Sequence, residues 1–196
     1  MNELHATALV RRALRAGASW LPAATAALSP TDRADVGELE RWFAGFAAEV
    51  RAHHETIETW LLPTLAVRRA LGHDVLEAIA VDHACVDHVV GELGDALGVL
   101  AFGLADGVGP IAAAHGLALR LERLLDAQLA RESHLLAPLV TRTLRPVERL
   151  AVDGEVLCGI TVRRAPFSLD WLCAQLTDAE REALLALAPI IGAAAD

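Results

Sequence analysis

Tyrosine and lysine are absent from this 196-residue chain, and phenylalanine and tryptophan supply four residues each. A chain this poor in aromatic and strand-forming side chains gives a β-sheet little to pair. Its 54% hydrophobic content, dominated by Ala and Leu, favours helices instead. Without lysine, every permanent cation is an arginine, and the formal charge is −9. That balance, with no basic cluster, argues against nucleic acid as a partner. Cysteine is also scarce. Cys85, Cys158 and Cys173 are odd in number and far apart, so they form neither a disulfide framework nor a CxxC motif. They are expected to be buried or inert thiols. Long apolar runs are missing too, although mean hydropathy is +0.38. The longest uncharged stretches, near 107–119 and 183–195, each contain a proline and are too short to span a bilayer. Glu3, Arg11, Arg12 and Arg15 interrupt the start, so no secretory signal segment is expected. The expectation is a soluble, cytoplasmic protein with no membrane partner, long enough to bury a sizeable core.

What remains is helix, with breaks at four places. Ser29-Pro30-Thr31-Asp32 is an N-cap cluster with Pro in the first turn, and Gly72-His73-Asp74 separates two periodic runs. Gly103 to Pro110 carries three glycines and a proline, and Leu144-Arg145-Pro146 ends a fourth run. Helices are therefore expected near 2–28, 32–69, 74–102 and 110–144. Short connections between long helices imply antiparallel neighbours, an up-and-down four-helix bundle over residues 1–145. Residues 146–196 read as a short helical C-terminal extension packed on it. A loop is expected around Asp153-Gly154, and a helix capped by Thr177, with Glu180 completing a capping box.

The core stripes can be counted. Leu39, Phe43, Phe46, Val50, His53, Ile57 and Trp60 alternate steps of four and three. So do Leu76, Ile79, His83, Val86, Val90, Leu93, Leu97 and Leu100, and so do Leu121, Leu125, Gln128, Glu132, Leu135 and Leu139. These are the core positions of packed helices. His53, His83, Gln128 and Glu132 stand on the stripes themselves, where each must find a partner or bear its desolvation.

Helical bundles build metal sites from inward histidines and carboxylates on facing helices. His53, His83 and Glu132 suit a non-haem iron, manganese or zinc ion, with His5 as the histidine the first helix could add. The alternative is a buried hydrogen-bonded cluster in which histidine pairs with Glu132 and Gln128 bridges. Adjacent helical residues point about 100° apart, so only one of His53 and His54 faces the core. His53 is on the stripe and His54 reads as a half-exposed flank. A small helix rotation would instead bring His54 and Glu58 inward as a pair. Asp87, four residues after His83, could orient that imidazole. His88 and His134 lie off the stripes, His73 and His115 fall near helix starts and read as solvated, and Asp82 flanks His83.

Together these segments resemble a family. His53-His54-Glu55-Thr56-Ile57-Glu58-Thr59-Trp60-Leu61-Leu62-Pro63 resembles the second-helix motif of bacterial hemerythrin-like (HHE cation-binding) proteins. Asp82-His83-Ala84-Cys85-Val86-Asp87 is similar to their third-helix motif. Residues 128–138, from Gln128 to Pro138, are similar to the fourth-helix motif HLxHEExxxxP. The tail Ala165-Pro166-Phe167-Ser168-Leu169-Asp170-Trp171-Leu172 resembles the C-terminal extension of one bacterial subgroup. The resemblance covers nearly the whole chain. It implies a bundle holding carboxylate-bridged diiron for oxygen, nitric oxide or peroxide chemistry. His53, His83 and Glu132 match family ligands, as does His5 on the first helix. Two positions depart: Ile57 replaces the second-helix bridging Glu, and Gln128 replaces the fourth-helix His.

Losing a bridging carboxylate leaves too little negative charge to hold two cations close together. One expectation is therefore a reduced site, mononuclear or distorted, in which His5, His53, His83 and Glu132 hold iron for oxygen-species or small-molecule chemistry. The other is a metal-free small-molecule-binding protein or enzyme, for example a cyclase or isomerase of specialised metabolism. Its apolar cavity would be lined by His53, His83, Gln128 and Glu132, with Glu132 and His83 as acid–base groups. A bundle acting only through a protein partner ranks behind both.

Overall fold

Asp32 marks the first long helix with a side-chain cap: its Oδ1 accepts the amides of Ala34 and Asp35 at 3.2 and 3.3 Å. A computed structural model describes residues 6–29, 31–68, 71–104, 107–163, 170–180 and 182, with residues 155 and 157–163 described by backbone alone. Among the described residues every regular element is helical. Helix α1 spans Ala6–Ala26, α2 Arg33–Thr56, α3 Leu62–Val67, α4 His73–Ala101, α5 Val108–Thr143 and α6 Pro146–Arg163. A π-helical turn, Ile57–Leu61, joins α2 to α3 without a break. None of the described helices is long and apolar enough to cross a membrane.

Helix α1 packs on α5, α5 on α4, α4 on α2, and α2 on α1, while α6 lies against α1 and α2. The apolar interior falls into two clusters. The larger includes Leu14, Leu21, Phe46, Val50, Val86, Leu93, Leu125 and Leu129. The smaller holds Ile57, Leu61, Leu62, Leu65, Ile79, Leu136 and Leu144. Along α2 the order is Val50, the two histidines, Ile57. Along α4 it is Ile79, His83, Val86, and along α5 it is Leu125, Gln128, Glu132, Leu136. A buried polar layer thus separates the two clusters.

Several expectations are corrected. The α2 stripe fails after Ile57: Trp60 is 54% exposed, and Leu61 and Leu62 are buried instead. The cause is the π turn, which inserts an extra residue and shifts the register. It lies just before Pro63, which has no amide to bond the carbonyl four residues back and whose ring crowds that carbonyl in a regular helix. On α5 the stripe slides from the half-buried Leu135 to the fully buried Leu136. The loop expected at Asp153-Gly154 is absent, because α6 runs through both residues. Asp153 Oδ1 instead accepts the backbone amide of Thr7 at 3.3 Å, using its carboxylate on the first turn of another helix. His115 is not solvated; its Nδ1 donates to the carbonyl of Pro22 at 3.0 Å, tying α5 to α1. Cys85 is exposed and Cys173 is half-buried. Cys158 lies among the residues described by backbone alone. The Thr177–Glu180 capping box forms: Thr177 N donates to Glu180 Oε2 at 2.9 Å and Glu180 N donates to Thr177 Oγ1 at 3.3 Å.

Two glycines predict opposite outcomes. A Cβ on Gly17 would stand 2.6 Å from a ring carbon of Phe46, which is fully buried and stacked on Trp42. Gly17→Ala should therefore destabilise the fold by about 1–2 kcal/mol, overpacking outweighing helix propensity. Gly116 is exposed within α5 and a Cβ there meets nothing. Gly116→Ala should stabilise by about 0.5–1 kcal/mol. Thermal unfolding of the two variants reads both signs.

Candidate functional site

Glu132 is 1% exposed, and its carboxylate is met from three other helices. From α2, His53 Nε2 donates to Oε2 at 2.9 Å. From α4, His83 Nε2 donates to Oε1 at 3.1 Å. From α5 itself, Gln128 Nε2 donates to Oε1 at 2.7 Å. From α1, Arg11 Nε stands 3.4 Å from Oε2. Burial alone would raise this carboxyl. The hydrogen bonds from His53 and His83, the charge of His53 and the Gln128 amide outweigh it and hold Glu132 far below the ordinary carboxylate range.

The other protons follow from the acceptors around them. His83 has carboxylates on both sides, Glu132 at Nε2 and Glu58 Oε1 at Nδ1, the latter at 2.7 Å. It therefore carries a proton on each nitrogen. Burial would lower His83, but the hydrogen bonds and charges of Glu132 and Glu58 raise it. His54 stacks on His83, centroids 4.0 Å apart and planes within 9°. Burial, then the nearby charges of His83 and His53, push His54 down to about 3, so it is neutral at ordinary pH. Gln128 Nε2 lies 2.9 Å from His54 Nε2, and that nitrogen accepts. His54 Nδ1 then donates to Asp87 Oδ1 at 3.1 Å. Burial raises Asp87, against the charges of His83 and Arg51. Glu58 is about half exposed, so Glu58–His83–Glu132–His53 forms a hydrogen-bonded chain from solvent to the interior.

His53, His83, Gln128 and Glu132 thus meet in one cluster. His54 is 3% exposed rather than on a flank, since the α2 face turning into the π turn buries both histidines. Glu58 does come to the site, but as the partner of His83. Asp87 serves His54 and not His83, whose Nδ1 is taken by Glu58. His88 is exposed beside Glu92, and Asp82 pairs with Arg131. His5 lies outside the described residues. Arg11 was missed: it flanks the α1 core stripe of Leu9, Val10, Ala13 and Leu14, and no motif marks it.

The four polar groups expected to line a cavity close on each other instead. A cavity of about 400 Å³ lies one turn away, between the start of α1, the end of α5 and α6. Leu61, Leu136, Val140 and Leu144 form apolar wall, and Arg11 is the residue shared with the polar layer.

The charge and apolar surroundings of Glu132 weigh against a divalent ion here. His53 Nε2 and His83 Nε2 converge on the two Glu132 oxygens, and Glu58 holds the far nitrogen of His83. Both Glu132 oxygens already take hydrogen bonds, and the Arg11 guanidinium supplies positive charge beside them. Ile57, at the departed bridging position, is 1% exposed inside the smaller apolar cluster. Among the described residues no group of three or more His, Cys, Asp or Glu side chains is arranged to hold a metal ion. Comparison with protein-family models, curated proteins and solved structures finds no match to this chain.

The network predicts a pH dependence. His54 binds a proton in the unfolded chain near its ordinary value of 6.5 but in the fold only near 3. The unfolded state therefore holds more protons between these values, and stability falls as pH falls through that window. Between pH 6.5 and the carboxylate range the slope from this one group reaches at most about 1.4 kcal/mol per pH unit. Chemical denaturation at pH 7, 6 and 5 should show it, and His54→Gln should flatten it. An unchanged slope in that variant would show that His54 is not the group responsible.

Proposed function

We propose that the chain is a hemerythrin-like four-helix bundle that binds a small molecule without a metal ion. In this reading a self-contained polar layer replaces metal ligation. The observation that carries it is the saturation of Glu132: His53, His83 and Gln128 donate to its two oxygens, and Arg11 adjoins from the remaining long helix. Two imidazoles, an amide and a guanidinium do what cations do in a metal centre, neutralising a buried carboxylate and tying helices together. The departures at Ile57 and Gln128 fit this role. Ile57 extends the apolar cluster toward the pocket, and Gln128 links Glu132 to His54.

The pocket is of small-molecule size. Glu132 and His83 sit behind Arg11, so a bound molecule meets Arg11 first. This favours binding over acid–base turnover, with the polar layer acting as the rigid back wall. Helix α6 belongs to the site, since it closes one side of the pocket through Arg149, Val152 and Asp153. A second reading keeps a single iron ion on His53, His83 and Glu132. Its support is the Glu58–His83 contact, since a carboxylate on the far nitrogen commonly orients a metal-bound imidazole.

Metal analysis of protein produced in iron-replete medium separates the two. Sub-stoichiometric iron, no near-ultraviolet band of an oxo-bridged iron pair, and a melting temperature indifferent to chelator are expected. A stoichiometric ion that is lost in Glu132→Gln or His53→Ala would overturn the metal-free reading.

A further inference from the structure

Among the described residues Arg11 is the one cation that both the polar layer and the pocket use, and its bonding is incomplete. Its side chain is 12% exposed, and its Nε is buried without a hydrogen bond, 3.4 Å from Glu132 Oε2. Among the described residues its guanidinium makes no hydrogen bond at all, although it carries five donors. With Nε turned to Glu132, the remaining donors of this pocket-lining guanidinium have no acceptor among the described residues, and a guanidinium this enclosed calls for one. The partner must be an acceptor, and charge favours an anion.

The rest of the pocket agrees. Arg149 stands in the wall, its Nη1 donating to the carbonyl of Thr141 at 3.3 Å. Asp153, the one carboxylate among the described lining residues, is already engaged by the amide of Thr7. Among the described lining residues two arginines stand against one carboxylate, and Arg11 also faces Glu132 behind it. The remaining wall is largely aliphatic: Leu61, Leu136, Val140, Leu144 and Val152. An inorganic anion would leave that wall unpaired, and a hydrocarbon would leave Arg11 unpaired.

We propose that the pocket binds an apolar monocarboxylate, its carboxylate on Arg11 and its hydrocarbon body along the aliphatic wall. This rests on the metal-free binding reading and names its ligand class. Glu132, kept ionised by the polar layer, acts here as a positioning residue. It holds Arg11 at the back of the pocket through Nε and leaves the other donors for the ligand. The carboxylate then completes a charge-assisted chain from ligand to Arg11 to Glu132.

Calorimetric titration of the whole chain with decanoate, 1-decanol and inorganic phosphate tests this. Decanoate should bind, 1-decanol should bind about tenfold more weakly or worse, and phosphate should not bind detectably, since a charge-assisted contact is worth about that factor or more. Arg11→Gln should lose the preference for decanoate over decanol. Because that variant removes a partner of buried Glu132, a second one guards the test. Ala137→Trp places bulk into the pocket from an exposed position on α5 and should abolish binding of both decanoate and decanol. Equal affinity for decanoate and decanol, both blocked by Ala137→Trp, would overturn the carboxylate assignment while leaving the pocket as a small-molecule site. Binding by neither would overturn both. Decanoate binding that survives Ala137→Trp unchanged would place the ligand elsewhere and overturn the proposal.

Discussion

A carboxylate removed from water must be matched by donors and positive charge on every side, and Glu132 imposes that condition on the molecule's interior. Its partners come from α1, α2, α4 and α5, the four longest helices described. The rotation and height of each helix are therefore constrained by one group. Turning α2 by one residue would replace His53 at Oε2, and sliding α4 by a turn would put Ile79 or Asp87 where His83 stands. Apolar packing alone is tolerant of such changes. An ionised buried group is not, since losing one partner leaves charge uncompensated. The polar layer thus sets the register, while the apolar clusters above and below supply most of the favourable burial.

The π turn and the pocket follow from that register. Once α2 delivers both His53 and His54 inward, a regular continuation would carry Trp60 into the interior. The wide turn at Ile57–Leu61 moves Trp60 out to solvent and brings Leu61 and Leu62 in. Leu61 then faces Leu136, Val140 and Leu144 across the cavity. Ile57 completes the apolar cluster at a position where a carboxylate would have needed its own counter-charge. Absence of that charge lets Arg11 serve Glu132 and the cavity together.

Much of this was legible in the chain's periodicity. The stripe on α4 is buried nearly as counted, from Ile79 to Leu100, because uninterrupted steps of three and four leave a regular helix no alternative face. The convergence of His53, His83, Gln128 and Glu132 followed from the same counting. Legibility ended where a side chain's role depends on a neighbour distant in sequence. His54 looked like a flank because its own stripe holds Arg51 and Glu58, yet Gln128 and Asp87 receive it from two other helices. Asp153-Gly154 carries the dipeptide of a turn, yet α6 runs through it and Asp153 takes the amide of Thr7 from another helix.

By itself, then, the sequence determined an all-helical chain, the placement of its main breaks, and the fact that polar side chains would have to be buried together. Those are consequences of local geometry, which 3.6-residue periodicity and capping chemistry express one segment at a time. Only the tertiary structure decided how the buried polar groups are used. Whether His83 turns its nitrogens to two carboxylates, whether Arg11 reaches Glu132, and whether the cavity opens at the polar layer or beside it are matters of distance between helices. Those distances are set by the mutual satisfaction of charges that no single segment contains.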